Sequence, residues 1–207
     1  MIFKKNYSPL AYPEAIAKME EHVKRMLLKE AYEEVWLLEH PPVYTLGTSA
    51  EEKDILCQTK VPFYKSGRGG KVAYHGPGQR IAYVMLDLSQ RTQDLRHYIW
   101  MLEEWIILVL RELGVKGERR EGRVGVWVLS PEGKEEKIAA IGVRIKKWVT
   151  FHGISLNINP NLSYYKSIVP CGLANYGVTS LKRLGVEIST QEADTLLERK
   201  FLSLFEE

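Results

Sequence analysis

The chain is 207 residues long, 45% apolar and 27% charged, which is enough to bury a core without disulfide or metal staples. Its 29 basic and 26 acidic side chains leave a net charge of +3, too small a footprint for a nucleic-acid binder but compatible with a local basic patch facing an acidic partner. With only Cys57 and Cys171 there is no secreted disulfide scaffold, and the longest apolar run, Trp105 to Leu110, is far short of the ~20 residues of a membrane span. Residues 1–22 lack the apolar centre of a secretion signal, so a cytoplasmic protein of one domain, 1–207, is expected, without a membrane.

Tyr12, Ile16, Met19, Val23 and Leu27 recur at helical spacing behind Pro13, a residue suited to a first turn. A strand is expected over 34–39, then a turn at Pro41-Pro42, short strands over 61–64 and 81–86, and between those two a glycine-dense segment, Gly67 to Gly78. A second helix is expected over 92–113, with Leu95, Ile99, Leu102, Ile106 and Leu110 on one face. Strands over 124–129, 137–145 and 149–158 follow, separated by Pro131-Glu132-Gly133 and by Lys146-Lys147. Ser189 with Glu192 three residues on is a capping-box pattern opening a last helix that turns Leu196, Leu197 and Phe201 inward. The irregular alternation of strands and helices points to a mixed-sheet α/β fold of the α+β type, not to a doubly wound one.

Four segments carry chemistry-bearing residues. Arg68-Gly69-Gly70 runs to Tyr74-His75-Gly76-Pro77-Gly78-Gln79, with five glycines in the twelve residues 67–78. Such a segment either connects a hairpin or lets backbone approach a ligand, and the flanking Arg68 and His75 favour a ligand. Cys57, in a run of Asp54-Ile55-Leu56, reads as a small buried hydrophobe, whereas Cys171 sits between Pro170 and Gly172, where no regular element buries it. Lys137 opens the small-residue run Ile138-Ala139-Ala140-Ile141-Gly142, and is either a snorkelling strand-end lysine or a cation beside a ligand. His152, before Gly153-Ile154-Ser155, is a ligand contact, a base or a satisfied sheet histidine. The histidines and cysteines show no metal-ligand spacing, so neither metal nor cofactor is expected.

Together, RGGKVAYHGPGQ, KIAAIGVRI, HGISLNIN and IVPCGL with VTSL behind it resemble, in order and spacing, the lipoyl(octanoyl) transferases, over about residues 39–181. The resemblance implies the fold of biotin and lipoate protein ligase catalytic domains, a larger mixed sheet with a smaller one beside it. It implies ATP-independent transfer of an octanoyl group from octanoyl-acyl carrier protein to a lysine of lipoyl domains, those of 2-oxoacid dehydrogenase complexes and the glycine cleavage H protein. It assigns Cys171 as the acyl-thioester nucleophile and Lys137 as the lysine beside it. It assigns Arg68, Gly69, Gly70, Lys71, Val72, Ala73, Tyr74 and His75, then Ala140, Ile141 and Gly142, then Gly153, Ile154 and Ser155, to substrate binding. Ala73 stands where the family usually has a hydroxyl residue, and Arg80 and Val84 replace the commoner leucine and proline. The competing readings are an ATP-dependent lipoate or biotin ligase on the same fold, and a non-catalytic module that binds carrier or lipoyl domains.

The residue types suit acyl transfer. A free thiol, with a pKa of about 8.5, is only a few per cent thiolate at neutral pH. An ammonium at ~4 Å attracts the thiolate by about 4 kcal/mol at an effective dielectric of 20, and half of that lowers the thiol pKa by roughly 1.5. The basic residues Arg119, Arg120, Arg123, Arg144, Lys146 and Lys147 either dock an acidic partner or form a solvated charged face.

Overall fold

The two hydrophobic periods of the sequence separate cleanly in space. The computed structural model describes residues 1–169 and 176–206. In chain order these form β1 (Ile2–Lys5), α1 (Tyr12–Leu27), β2 (Glu34–Leu38), β3 (Val43–Leu46), β4 (Phe63–Lys65), β5 (Val72–His75), β6 (Gln79–Met85), α2 (Leu95–Glu112), β7 (Val126–Leu129), β8 (Glu135–Lys146), β9 (Val149–Asn157), β10 (Gly177–Val178) and α3 (Thr190–Phe205). The large sheet runs β1-β2-β6-β9-β8, with β7 antiparallel and β10 parallel to the N-terminal end of β8. The small sheet is β4-β3-β5.

Strands β2, β6 and β9 are buried throughout because helices cover both faces of the large sheet. On one face, Trp36, Leu38, Ile81, Tyr83, Met85 and Phe151 meet Ala15, Met19, Val23 and Met26 of α1. On the other, the alternate residues Val35, Leu37, Ala82, Val84, Ile154 and Leu156 meet α2 and α3 through Trp105, Ile106, Leu110, Leu197 and Phe201. The small sheet has its own core, where Tyr44, Val72 and Tyr74 pack with Ile168.

Helix ends follow local chemistry. Pro13 sits in the first turn of α1, and both halves of the Ser189–Glu192 capping box form at α3. Asp94 caps α2 by accepting from the Arg96 and His97 amides, so this helix starts later than the apolar period suggests. Leu95, expected inside, is exposed because it precedes the buried stripe that opens at Tyr98. Strands β1, β3 and β10 are too short to show alternation in the sequence, and β5 hides inside the glycine segment. The β8–β9 turn is Lys147-Trp148, one residue later than expected, with both at positive φ (49° and 64°) as a two-residue hairpin turn of the primed type requires. Cys57 corrects another expectation. It is exposed, as is Leu56, because this loop turns Ile55 towards Ile168 and has no inward place for the residues after it.

Arg80 is fully buried and pairs with Asp194 on α3 through two 2.7 Å bonds, Nε to Oδ1 and Nη2 to Oδ2, while Nη1 donates to the Asn6 carbonyl. Removing one partner of such a pair leaves an uncompensated buried charge. Asp194→Ala should cost about 3–5 kcal/mol in a urea titration, and Arg80→Leu combined with Asp194→Leu should recover most of it. Equal destabilisation by the single and double variants would show that packing, not charge, holds this junction.

Candidate functional site

A cavity of about 240 Å³ lies where β5, the glycine loop, β6, β8, β9 and the first turn of α1 converge. Its floor is the small-residue face of β8. Ala140 and Gly142 point into it and Ile141 and Val143 point to the opposite core, so the wall is low on one side and apolar. The loop is docked onto this floor by the Gly69 amide, which donates to the Val143 carbonyl at 2.9 Å. Arg68 is buried against it, and a Cβ at Gly142 would come within 2.9 Å of the arginine Cδ.

At the end where β7 and β10 join β8 lies Lys137. It is 6% exposed, donates from Nζ to the Val124 carbonyl at 2.9 Å, and stands 4.8 Å from the centre of the Trp127 ring. Its ammonium thus rests on a carbonyl and an indole face, and the Glu103 carboxylate, which accepts from the Gly125 amide and pairs with Arg119, interacts with it electrostatically. Gly125 is needed here. It adopts φ 119°, and a Cβ would lie 2.7 Å from the Ala139 carbonyl and 3.3 Å from Lys137 Nζ. Val178 is the register partner of Lys137, and the Thr179 amide donates to the Lys137 carbonyl.

The far end is formed by His40, Tyr83 and His152, with Tyr12 edge-on to His40. His152 reaches it by an inverted pleat. Its cross-strand partner Val143 faces the α2–α3 core, and alternation would send the imidazole there too. Instead His152 adopts φ 59°, and its ring turns to the cavity side, edge-on to Tyr83 with centroids 5.9 Å apart. Gly153 inverts with it. A Cβ there would strike the Ala82 carbonyl at 2.3 Å, so only glycine fits. A left-handed histidine within a strand costs of order 1–3 kcal/mol, and such strain gathers at functional sites.

Comparison with known proteins agrees with this geometry. The family model described as the lipoyl protein ligase A/B catalytic domain matches residues 11–202. This chain belongs to that family. It is 54% identical to a Bartonella tribocorum protein named octanoyltransferase, over 94% of this chain and 82% of that one. It is 55% identical to a Rhodopseudomonas palustris octanoyltransferase, over 96% of this chain and 86% of that one. The fold is shared with a bipartite lipoate protein ligase from Thermoplasma acidophilum, at a TM-score of 0.73 and 15% identity, covering all of this chain and 84% of that one.

The residues picked from the sequence as those of the family mostly converge on the cavity. Arg68, Gly70, Lys71, Val72, Ala73, His75, Lys137, Ala140, Ile141, Gly142, Gly153, Ile154 and Ser155 line it. Gly69 acts through its backbone bond to β8. Tyr74 points away, because alternation along β5 sends it into the small-sheet core, stacked 4.7 Å from Tyr164. Lys71 pairs with Glu51 and Asp54 on the outer side of the loop. Cys171, with Pro170 and Gly172, lies outside the described residues. Sequence reasoning passed over Tyr12, Ile81, Tyr83 and Val124, which read as ordinary core or strand-end residues, and His40, whose position before Pro41-Pro42 was the one available signal.

A chain of hydrogen bonds with one permitted direction runs through this family's glycine segment. The Thr179 carbonyl can only accept, so Asn157 Nδ2 donates to it at 2.9 Å and Asn157 Oδ1 faces Gln79 Nε2, also at 2.9 Å. Gln79 Oε1 then meets His75 Nδ1 at 2.6 Å, which makes Nδ1 the protonated nitrogen. His75 Nε2 accepts from the Thr45 hydroxyl at 3.2 Å, and Thr45 Oγ1 accepts from Arg68 Nη2 at 2.8 Å. His40 holds the same tautomer, donating from Nδ1 to the Leu10 carbonyl at 2.7 Å and accepting from the Tyr83 hydroxyl at 2.8 Å. Desolvation holds all three imidazoles neutral, His40 down to about 4 and His75 and His152 down to about 3, with Arg68 adding to the last two and His40 to His75.

The sign of the pH dependence follows. The unfolded chain protonates His40, His75 and His152 near 6.5, before the folded chain does, so stability is complete above that pH and falls as pH drops through 4 towards 3. Unfolding should take up about three protons near pH 5 from these three buried rings, read from the slope of stability against pH. Nitrogen-15 spectra at pH 5.5 should show His40 and His75 as neutral Nδ1–H tautomers. Gln79→Glu, which places a carboxylate on Nδ1–H, should raise the His75 titration, and an unmoved titration would refute the assigned direction of the chain.

Proposed function

We propose that the protein transfers an octanoyl group from octanoyl-acyl carrier protein to a lysine of lipoyl domains, with Cys171 carrying the group as a thioester between the two. The names of relatives at 54–55% identity over nearly the whole chain support the overall reaction. The observation that carries the chemistry is Lys137, a buried ammonium resting on a carbonyl and an indole at the mouth of an acyl-sized cavity. Val178, seven positions after Cys171, is its register partner.

The reaction balances without an added cofactor. The Cys171 thiolate adds to the donor thioester carbonyl, and the carrier thiolate leaves, taking a proton from the Lys137 ammonium, which becomes a free amine. The acceptor lysine, as free amine, then adds to the Cys171 thioester, the cysteine thiolate leaves, and Lys137 accepts the proton released by the new amide nitrogen. The Lys137 ammonium favours the thiolate in the first step and at the end of the second. Ala140 and Gly142 leave space for the methylene chain, and the glycine loop covers it. The acceptors we assign are the lipoyl domains of 2-oxoacid dehydrogenase complexes and the glycine cleavage H protein. The location we assign is the reducing cytoplasm, where a free thiol persists. Among the described residues, no helix is long and apolar enough to cross a membrane.

Incubating pure protein with octanoyl-acyl carrier protein should add one octanoyl group by intact mass, without ATP or metal, and a lipoyl domain should discharge it as an amide. Cys171→Ala should form no adduct, and Cys57→Ala should behave as wild type. Wild-type transfer by Cys171→Ala would sink the thioester route, and AMP release on transfer of free octanoate would favour the ligase chemistry of the structural neighbours.

In a Cys57→Ala background, which removes the exposed thiol, Lys137→Met should raise the pH at which iodoacetamide alkylates Cys171 by roughly one to two pH units. An unchanged profile would remove Lys137 from the ionisation of the thiol.

A further inference from the structure

We infer that His152, together with Tyr83, is the end wall of the acyl cavity and sets the longest acyl chain the protein accepts. This rests on the proposed acyl transfer at Lys137 and deepens it.

The two ends of the cavity lie far apart on one strand. Lys137 marks one end of β8, and Val143, the register partner of His152, lies six residues along it, with the lysine side chain and the imidazole both lining the cavity between them. A chain attached near Lys137 and running over Ala140 and Gly142 is therefore directed at His152 and Tyr83. These two stop it. Tyr83 is 4% and His152 5% exposed, and Tyr83 is held by His40, whose own ring is fixed to the Leu10 carbonyl. Behind them lies the α1 core, where the Met19 sulfur accepts the His152 amide at 3.2 Å.

The inverted pleat is what makes this a wall. With ordinary alternation the imidazole would point to the α2–α3 core and a residue at 153 would face the cavity instead. The left-handed turn at His152 and the glycine after it put a large flat ring across the end of the cavity and no side chain beside it. A purely structural histidine would have no need to leave its face of the strand. The ring is also neutral, so a methyl terminus meets it without facing a charge.

His152→Gly keeps the backbone turn, which suits glycine, and deletes the ring. His152→Asn, also tolerant of that turn, is the shorter polar control. Transfer should be measured with octanoyl-, decanoyl- and dodecanoyl-acyl carrier protein. In both variants the decanoyl-to-octanoyl ratio of kcat/KM should rise, by about tenfold for glycine, the scale of two further buried methylenes. An equal loss for all three donors, or an unchanged ratio, would overturn the proposal. Binding of free octanoate, decanoate and dodecanoate by calorimetry reads the same selectivity without any transfer. If the wild type transfers nothing, the acyl-transfer reading fails. The wall itself stands or falls on whether the variants gain affinity for the longer acids.

Discussion

Arg68 has to pass between the two sheets, and most of the site is arranged around that passage. Its side chain runs over Gly142 on the large sheet and beside Gly47 at the end of β3, where added Cβ atoms would sit 2.9 Å and 2.7 Å from it. Its guanidinium donates to both the carbonyl and the hydroxyl of Thr45 and to the Gly69 carbonyl. A buried guanidinium is tolerated only when its donors are used, and here they are used to fix the glycine loop between β3 and β8. The loop amides and carbonyls complete the clamp, from Gly47 to Lys71, Thr48 to Arg68 and Ser49 to Gly70. Remove this arginine and the cavity loses its roof as well as a charge.

That charge also divides the cavity electrostatically. Arg68 adds to the burial that keeps His75 and His152 neutral, so the imidazoles act as shape and as hydrogen-bond partners rather than as titrating bases near pH 7. Lys137, to which we assign the proton transfer, lies at the opposite end, resting on Trp127. Cation chemistry at one end and a neutral wall at the other suit a substrate with a reactive carbonyl and an apolar tail.

The arginines near that mouth show how little a count of charges says about docking. Arg119 pairs with Glu103 and Glu104, Arg120 with Glu118 and Glu135, and Arg123 with Glu135, so these three are largely neutralised within the chain. Arg123 also stacks on Trp127 and Tyr176, which packs the segment over Lys137. Of the six cations raised from the sequence, Arg144, Lys146 and Lys147 are exposed, near the β8–β9 turn, with Arg144 3.5 Å from Glu20.

The sequence by itself determined the long periodic elements, α1, α2, α3, β6, β8 and β9, because burial of a face imposes a repeat that can be read without knowing the partner. It also determined the glycine segment and the run from Lys137 to Gly142, because close approach admits only small residues whatever the rest of the chain does. Tertiary structure alone decided where Tyr74 and His152 point. Tyr74 obeys strand alternation and is thereby lost to the cavity, while His152 breaks it and is thereby gained, and no local period distinguishes the two. It alone decided that Lys137 lies on an indole rather than in water, since Trp127 comes from β7 and the carbonyl from Val124. His40, Tyr12 and Tyr83 became a wall only when β6 and α1 met over β9, because convergence of distant segments is a property of packing and leaves no mark in the spacing of a single chain.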